Sequence, residues 1–194
     1  FLDTFSGLQM ARAYYLIDSK GTKIATLLED QDPYKGYKKG EISIFTIKAD
    51  DWITDLWCRL IRPVDFDPAA KYPVFVYVYG GPHAQMITKS WTGGAGFFLN
   101  YMAQQGYVVF TLDNRGSANR GFDFESIIHR QLGETETADQ MAGIRYLKTL
   151  SYVDPERIGI NGWSYGGFMT ITMMLRNPGV FRTACAGGPV IDWS

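Results

Sequence analysis

The residues best suited to chemistry form the sequence GWSYG at residues 162–166. This segment fits the pattern Gly-x-Ser-x-Gly, in which a serine occupies a sharp turn between a strand and a helix and the glycines let both elements pack closely. Such a turn exposes the serine oxygen at a helix N-terminus, where negative charge is favoured. The pattern therefore predicts that Ser164 is a nucleophile, and the alternative is an ordinary glycine-rich turn.

A serine nucleophile also needs donors for the oxygen that becomes negatively charged during acyl transfer. The backbone N–H of Tyr165, directly after the serine, is one candidate. A second donor is expected in a loop after an earlier strand, and the sequence YGGPH at residues 79–83 leaves an apolar segment with the glycines that such a loop needs. Tyr79 can offer its hydroxyl there, or it can be simply an aromatic residue at a strand end.

The serine further requires a histidine as base and a carboxylate that orients it. Residues 165–194 contain no histidine, and Asp192 is their only carboxylate. His83 and His129 precede the serine, against the usual order along the chain, and we interpret them as a loop and a helix-surface residue. We therefore expect the base and its partner to lie in sequence beyond these 194 residues, as parts of a longer protein.

The elements that must position Ser164 are strands alternating with helices from residue 72 onward. Such alternation of doubly apolar strands with helices predicts an α/β class, with a mostly parallel sheet and helices on both faces. The TADQ sequence at residues 137–140 has capping-box spacing at a helix start. The predicted strands are 55–62, 72–79, 107–112, 157–160 and 180–186, and the predicted helices are 97–105, 138–150 and the segment after Ser164.

Residues 1–48 have a different pattern, typical of antiparallel strands at 12–17, 23–28 and 41–48 joined by turn-rich loops. So few strands rarely form a stable unit alone. We therefore expect two domain pieces, residues 1–48 from an all-β unit and residues 49–194 from the α/β unit.

Composition excludes several function classes. A formal net charge of −1 argues against a nucleic-acid or membrane-surface partner, and no apolar run reaches the length of a membrane helix. The glycine-rich residues 93–96 lack the lysine that a phosphate loop requires. Cys58 and Cys185 form no metal or redox motif and are expected to be two separate buried thiols. We therefore predict neither a metal nor another cofactor.

Five motifs follow one another along the chain: YGGPHAQ at residues 79–85, DNRGSANRG at 113–121, RQLG at 130–133, DQ at 139–140 and GWSYGG at 162–167. Together they resemble the prolyl oligopeptidase family, in particular its dipeptidyl peptidase IV branch. Residues 168–170 and 187–193 resemble most the bacterial prolyl tripeptidyl aminopeptidases of that branch. The similarity extends from about residue 50 to the end, and residues 1–48 resemble the end of the β-propeller that precedes the α/β-hydrolase domain.

The resemblance implies a partial α/β-hydrolase fold in which Ser164 is the nucleophile, Tyr79 the side-chain oxyanion donor and Tyr165 the backbone donor. It also implies that Tyr165, Val190 and Trp193 line the pocket for a substrate proline, whose flat apolar ring suits aromatic and branched side chains. The implied activity is that of a serine exopeptidase that releases N-terminal tripeptides or dipeptides by cleaving after proline.

The implied partner is a peptide with proline at the cleavage site, and the family is compatible with a homodimer and with a periplasmic or cell-envelope location. We expect residues 1–194 alone to be inactive. Two alternatives stay open: a non-catalytic hydrolase-like interaction module, and an esterase or endopeptidase on the same fold. Arg115 and Asp139 either form an ion pair behind the site or remain a solvated arginine and a first-turn helix acid.

Overall fold

The structure, a computed structural model, describes residues 1–193 and arranges them around two sheets. The first sheet is antiparallel, in the order β1-β2-β3. The turn between its second and third strands is closed by Asp18, whose carboxylate accepts the N–H groups of Lys20 and Thr22 over 2.8 Å. The strands are β1 (Leu2–Gly7), β2 (Met10–Ile17) and β3 (Lys23–Glu29).

The second sheet has six strands in the order β4-β5-β7-β6-β8-β9. Its last four strands in this order are mutually parallel, whereas β4 is antiparallel to β5 and β5 is antiparallel to β7. The strands are β4 (Ile42–Lys48), β5 (Asp55–Ile61), β6 (Tyr72–Tyr77), β7 (Val108–Asp113), β8 (Val153–Trp163) and β9 (Thr183–Gly187).

The helices cover both faces of the six-stranded sheet. Side chains alternate between the faces of a strand, so Val76 of β6 belongs to the same buried cluster as Leu147 of α3 and Met173 of α4. Phe75, the next residue along β6, packs instead with Leu99 of α1. The helices are α1 (Phe97–Gln104), α2 (Phe122–Ser126), α3 (Thr135–Thr149) and α4 (Tyr165–Arg176).

The α/β prediction is confirmed, and most predicted strands and helices occur within a few residues of their expected bounds. The pairing of β4 was not anticipated, because the sequence grouped this strand with the N-terminal antiparallel segment. It pairs with β5 along its whole length, from Ile42 opposite Ile61 to Lys48 opposite Asp55. Only β1 to β3 therefore form the separate sheet.

The capping box expected at residues 137–140 is wrong. Helix α3 begins earlier, at Thr135, and the Thr137 hydroxyl donates to the carbonyl of Gly133 over 2.6 Å instead of capping the helix. The short helix α2 was also not predicted, because its five residues are too few to show a periodic pattern.

The two cysteines differ in exposure. Cys58 in β5 is buried, and burial raises the pKa of its thiol. Cys185 in β9 is exposed, so the prediction of a second buried thiol is wrong. The reason is the position of β9 at the end of the strand order, where β8 is its neighbour on one side only.

None of the helices that the structure describes has the length and hydropathy needed to span a bilayer. Within residues 1–193, no group of three or more His, Cys, Asp or Glu side chains is arranged to hold a metal ion.

Candidate active site

Ser164 lies in the turn between β8, which ends at Trp163, and α4, which begins at Tyr165. Its backbone angles are φ 58° and ψ −119°, a combination that residues with a side chain seldom adopt. Two backbone hydrogen bonds hold the turn: the Ser164 N–H donates to the Gly187 carbonyl over 2.9 Å, and the Ser164 carbonyl accepts the Phe168 N–H over 3.1 Å.

The glycines on either side of Ser164 allow this turn because no side chain would fit there. A Cβ atom on Gly162 would lie 2.2 Å from the carbonyl oxygen of Gly166, and one on Gly166 would lie 2.3 Å from the carbonyl oxygen of Val78. The Gly-x-Ser-x-Gly spacing therefore follows from the close packing of β6, β8 and α4.

Ser164 is a partly exposed residue, and its hydroxyl forms no hydrogen bond with residues 1–193. It stands at the N-terminus of α4, where the first backbone N–H groups have no partner within the helix. Such an oxygen is free to attack a substrate carbonyl.

Tyr79 lies beside this turn because β6 and β8 are parallel neighbours, with Tyr77 opposite Asn161. A Cβ atom on Gly166 would lie only 3.2 Å from the Cα atom of Tyr79. The rings of Tyr79 and Tyr165 are 6.3 Å apart, and the Tyr79 hydroxyl forms no hydrogen bond within the described part of the chain.

Of the three predicted pocket residues, the structure brings two together. Tyr165 as a residue is only 4% exposed, and its ring centroid lies 5.3 Å from that of Trp193. Phe168 completes the group, at 5.2 Å from Tyr165 and 5.5 Å from Trp193. Val190 is 39% exposed and lies outside the buried core. A wide cleft of about 1410 Å³ opens beside Trp193, between Pro82 and the segment around α2.

Comparison with known proteins identifies the family. The model of the prolyl oligopeptidase family matches residues 96–194, which is more than half of the chain. The chain belongs to this family. The resemblance carried by its motifs is thereby confirmed.

Relatives within the prolyl oligopeptidase family include dipeptidyl peptidase 8 of Homo sapiens, 38% identical over 170 residues that cover 87% of this chain and 19% of the relative. Prolyl endopeptidase FAP of Bos taurus is 33% identical over 183 residues, which cover 92% of this chain and 23% of the relative. The chain thus spans about a fifth of the length of these curated relatives.

Two solved structures share the fold. Dipeptidyl peptidase 4 of Porphyromonas gingivalis superposes with a TM-score of 0.91 at 33% identity, over 99% of this chain and 27% of the other. A protein of Bacteroides ovatus, provisionally described as a dipeptidyl aminopeptidase IV, superposes with a TM-score of 0.96 at 52% identity over the same shares of both chains.

The DNRG motif at residues 113–116 contributes Arg115 to a largely buried ion pair with α3. Arg115 donates from its backbone N, Nε and Nη2 to Asp139 over 2.7–3.2 Å, and from Nη1 to Asp51 over 2.9 Å. The Asp139 side chain is 0% exposed. Arg115 and Asp139 therefore form the ion pair, and the alternative of a solvated arginine beside a first-turn helix acid is wrong. Hydrogen bonding to Asp139 raises the pKa of Arg115 despite partial burial.

A chain of amide groups connects α3 with the loop that carries Tyr79. Gln140 donates to the Asn114 Oδ1 atom over 2.9 Å, and Asn114 Nδ2 donates to the carbonyl of Gly80 over 3.1 Å. Both side chains are buried. These contacts fix the backbone directly after Tyr79.

The buried side chain of Arg59 holds the loop between β6 and α1, which also carries Tyr79. The guanidinium of Arg59 donates to the carbonyls of Met86 and Gly93 over 3.0 and 2.6 Å. Asp113 accepts the N–H groups of Met86 and Ile87 over 2.9 and 3.0 Å. Burial lowers the pKa of Arg59 to about 10 and raises the pKa of Asp113.

Neither histidine is hydrogen-bonded to Ser164. His83 is exposed on the loop after Tyr79 and hydrogen-bonds to Glu125 of α2, while His129 is exposed after the end of α2. The interpretation of His83 as a loop residue agrees with this position. His129 lies beyond the helix on whose surface it was expected, because α2 ends at Ser126.

Sequence reasoning missed Glu136, in the first turn of α3. Its carboxylate is completely buried, and its Oε1 atom accepts the hydroxyl of Tyr165 over 2.5 Å. Burial, followed by this contact, raises the pKa of Tyr165. The available signal was an acidic residue between the motifs RQLG and DQ, in a stretch that otherwise looks like a solvated helix start.

Proposed function

We propose that this chain is the nucleophile-bearing part of a serine exopeptidase of the dipeptidyl peptidase IV type, which cleaves after proline near the free amino terminus of a peptide. The observation that carries the proposal is the strained turn at Ser164, a partly exposed residue beside Tyr79 and Tyr165. Serine is seldom held in this conformation without a functional reason. Family membership and the names of the relatives support the same assignment.

In the proposed reaction, the Ser164 oxygen attacks the carbonyl carbon of the substrate proline while a histidine base accepts the hydroxyl proton. The Tyr79 hydroxyl and the Tyr165 N–H donate to the oxyanion. The histidine then returns the proton to the leaving amine, and water hydrolyses the acyl-enzyme. We assign the base and its carboxylate to residues outside positions 1–193, because His83 and His129 are not hydrogen-bonded to Ser164.

The pocket for the proline ring is proposed to consist of Tyr165, Trp193 and Val190. The first two already form an aromatic surface. Val190 would reach the ring from the exposed segment after β9. The proposed partner is therefore a peptide with proline at the cleaved bond.

Dipeptide release is favoured over tripeptide release by the names of the relatives, dipeptidyl peptidase 8 and dipeptidyl peptidase 4. Tripeptide release is supported by the GGPVIDW sequence at residues 187–193. The two activities differ in the distance between the serine and the group that binds the substrate's amino terminus.

For the architecture, we infer that the six-stranded sheet with its helices belongs to an α/β-hydrolase domain and that β1 to β3 belong to a preceding β-propeller. A boundary at residue 48 would separate β4 from β5, its antiparallel partner. A boundary between Glu29 and Ile42 keeps each sheet whole.

The test is Ser164→Ala in the full-length protein, assayed with chromogenic Xaa-Pro and Xaa-Xaa-Pro substrates. We expect turnover to fall by at least about 10³-fold. The control is Ser151→Ala, which changes an exposed serine and should leave turnover unaffected. Retained turnover in Ser164→Ala would refute the assignment.

Labelling with a fluorophosphonate separates the alternatives. A peptidase reacts at Ser164, whereas a non-catalytic interaction module does not react. An esterase or endopeptidase would react but would leave the proline-terminated substrates intact.

A further inference from the structure

A buried carboxylate lies directly beneath the proposed proline pocket. The hydroxyl of Tyr165 donates to the Oε1 atom of Glu136 over 2.5 Å, and Glu136 is 0% exposed. This distance is typical of an O–H group donating to an ionised carboxylate, which is a stronger contact than a hydrogen bond between neutral groups. Burying such a group is costly unless its oxygens are hydrogen-bonded.

The carboxylate is held from its other side as well. Its Oε2 atom accepts the backbone N–H of Gly133 over 3.0 Å, and its position in the first turn of α3 favours a negative charge. The carbonyl of Gly133 in turn accepts from Arg176 at the end of α4 over 3.1 Å. The orientation of Glu136 is thus set by backbone and helix ends, independently of Tyr165.

Through the hydrogen bond from its hydroxyl, Tyr165 is attached to Glu136 of α3. Tyr165 has two proposed roles, one for its ring and one for its backbone N–H. The ring of Tyr165 contacts the rings of Tyr79, Phe168 and Trp193, and its backbone N–H is the proposed oxyanion donor. A ring fixed at its hydroxyl cannot rotate away from the pocket, and the backbone that carries the ring is fixed with it.

We propose that Glu136 is a positioning residue for the peptidase proposed above: it holds Tyr165 so that the ring forms the wall of the proline pocket and the N–H points at the oxyanion. Glu136 acts through Tyr165 and not on the substrate, because its side chain is fully buried and both of its oxygens accept hydrogen bonds.

The experiment is a double-mutant cycle with Glu136→Gln, Tyr165→Phe and the double variant of the full-length protein. Glutamine has one acceptor oxygen, so if it accepts the Gly133 N–H, only its neutral amide N–H faces the Tyr165 hydroxyl, and the strong hydrogen bond from that hydroxyl to a carboxylate is lost. We expect Glu136→Gln to lower kcat/KM for an Xaa-Pro substrate by roughly 10- to 100-fold, and to lower it less for the matched Xaa-Ala substrate. Tyr165→Phe should have a similar effect, because the ring remains but its anchor is lost.

The decisive result is the lack of additivity. If Glu136 acts through Tyr165, Glu136→Gln should have little further effect in the Tyr165→Phe background. A merely structural Glu136 would lower kcat/KM by the same factor in both backgrounds and for both substrates. That outcome, or unchanged kinetics in Glu136→Gln, would overturn the inference.

The matched control is Glu134→Gln, two residues earlier. Glu134 pairs with Arg176 at the surface, with a side chain that is 60% exposed, and should change kcat/KM less than about twofold. Thermal unfolding of each variant checks that it folds. If the unmodified protein does not turn over proline substrates at all, the proposed function fails first; if it does and the cycle is additive, only the role of Glu136 fails.

Discussion

Ser164 keeps a backbone conformation that costs on the order of 1–3 kcal/mol in an isolated chain. The structure holds it there with hydrogen bonds to Gly187 and Phe168 and with two glycines that let β6 and α4 touch. The strain is therefore maintained by packing around the turn.

We predict that Gly166→Ala disrupts this turn. The new methyl group would lie 2.3 Å from the Val78 carbonyl oxygen, and because backbone atoms cannot move aside cheaply, we expect a loss of at least about 2 kcal/mol of stability. The measurement is the thermal unfolding midpoint, together with turnover. Gly96→Ala is the control, since its methyl group would meet nothing within 4 Å; equal midpoints for the two variants would contradict this account.

The Gly-x-Ser-x-Gly motif predicted the strand–turn–helix that carries Ser164 and Tyr165, because this motif fixes a local geometry. It could not indicate Glu136, whose role depends on α3 lying against α4. The sequence also could not indicate that Cys185 is exposed, since the exposure of a strand residue depends on which strands lie beside it in the sheet.

The turn between β4 and β5 depends on one carboxylate. Asp51 accepts the N–H groups of Ile53 and Thr54 and the Thr54 hydroxyl, over 2.6–2.9 Å, besides the contact with Arg115. Burial opposes ionisation of Asp51, but these hydrogen bonds and the charge of Arg115 outweigh it and lower its pKa to about 2.

The lowered pKa of Asp51 predicts that the stability of the protein depends on pH. A carboxyl whose pKa is lower in the folded than in the unfolded state stabilises the protein above its unfolded pKa, about 4, and this contribution is lost as the pH falls towards 2. We expect Asp51→Asn to reduce stability by about 1–2 kcal/mol at pH 7. The difference should shrink as the pH falls below about 4 and be mostly lost near pH 2.

Thermal unfolding midpoints measured from pH 7 down to pH 2 provide the check. Asp123→Asn, on the exposed side of α2, is the comparison variant. A stability difference for Asp51→Asn that stays constant with pH would rule out this role.

Element types were predictable because apolar strands and helices alternate from β6 onward. The strand order was not, since β5 inserts beside β7 through contacts distant along the chain, from Trp57 opposite Asp113 to Ile61 opposite Val109. The same long-range pairing places β4 in the larger sheet, although its alternating sequence resembles that of β2 and β3.

We predict that residues 1–194 alone do not turn over peptide substrates. Ser164 would lack a base, because His83 is engaged by Glu125 and His129 is not hydrogen-bonded to the serine. Purified residues 1–194 and the full-length protein should be assayed side by side. A comparable rate for both would show that the base lies within the chain after all.

The contrast between the two cysteines gives the chain a built-in reporter. A maleimide dye should attach at Cys185 on the outer strand β9 and leave the enclosed Cys58 unmodified. The dye would then lie beside the last strand in the order described for residues 1–193, and its emission would change with any segment or molecule that packs against β9.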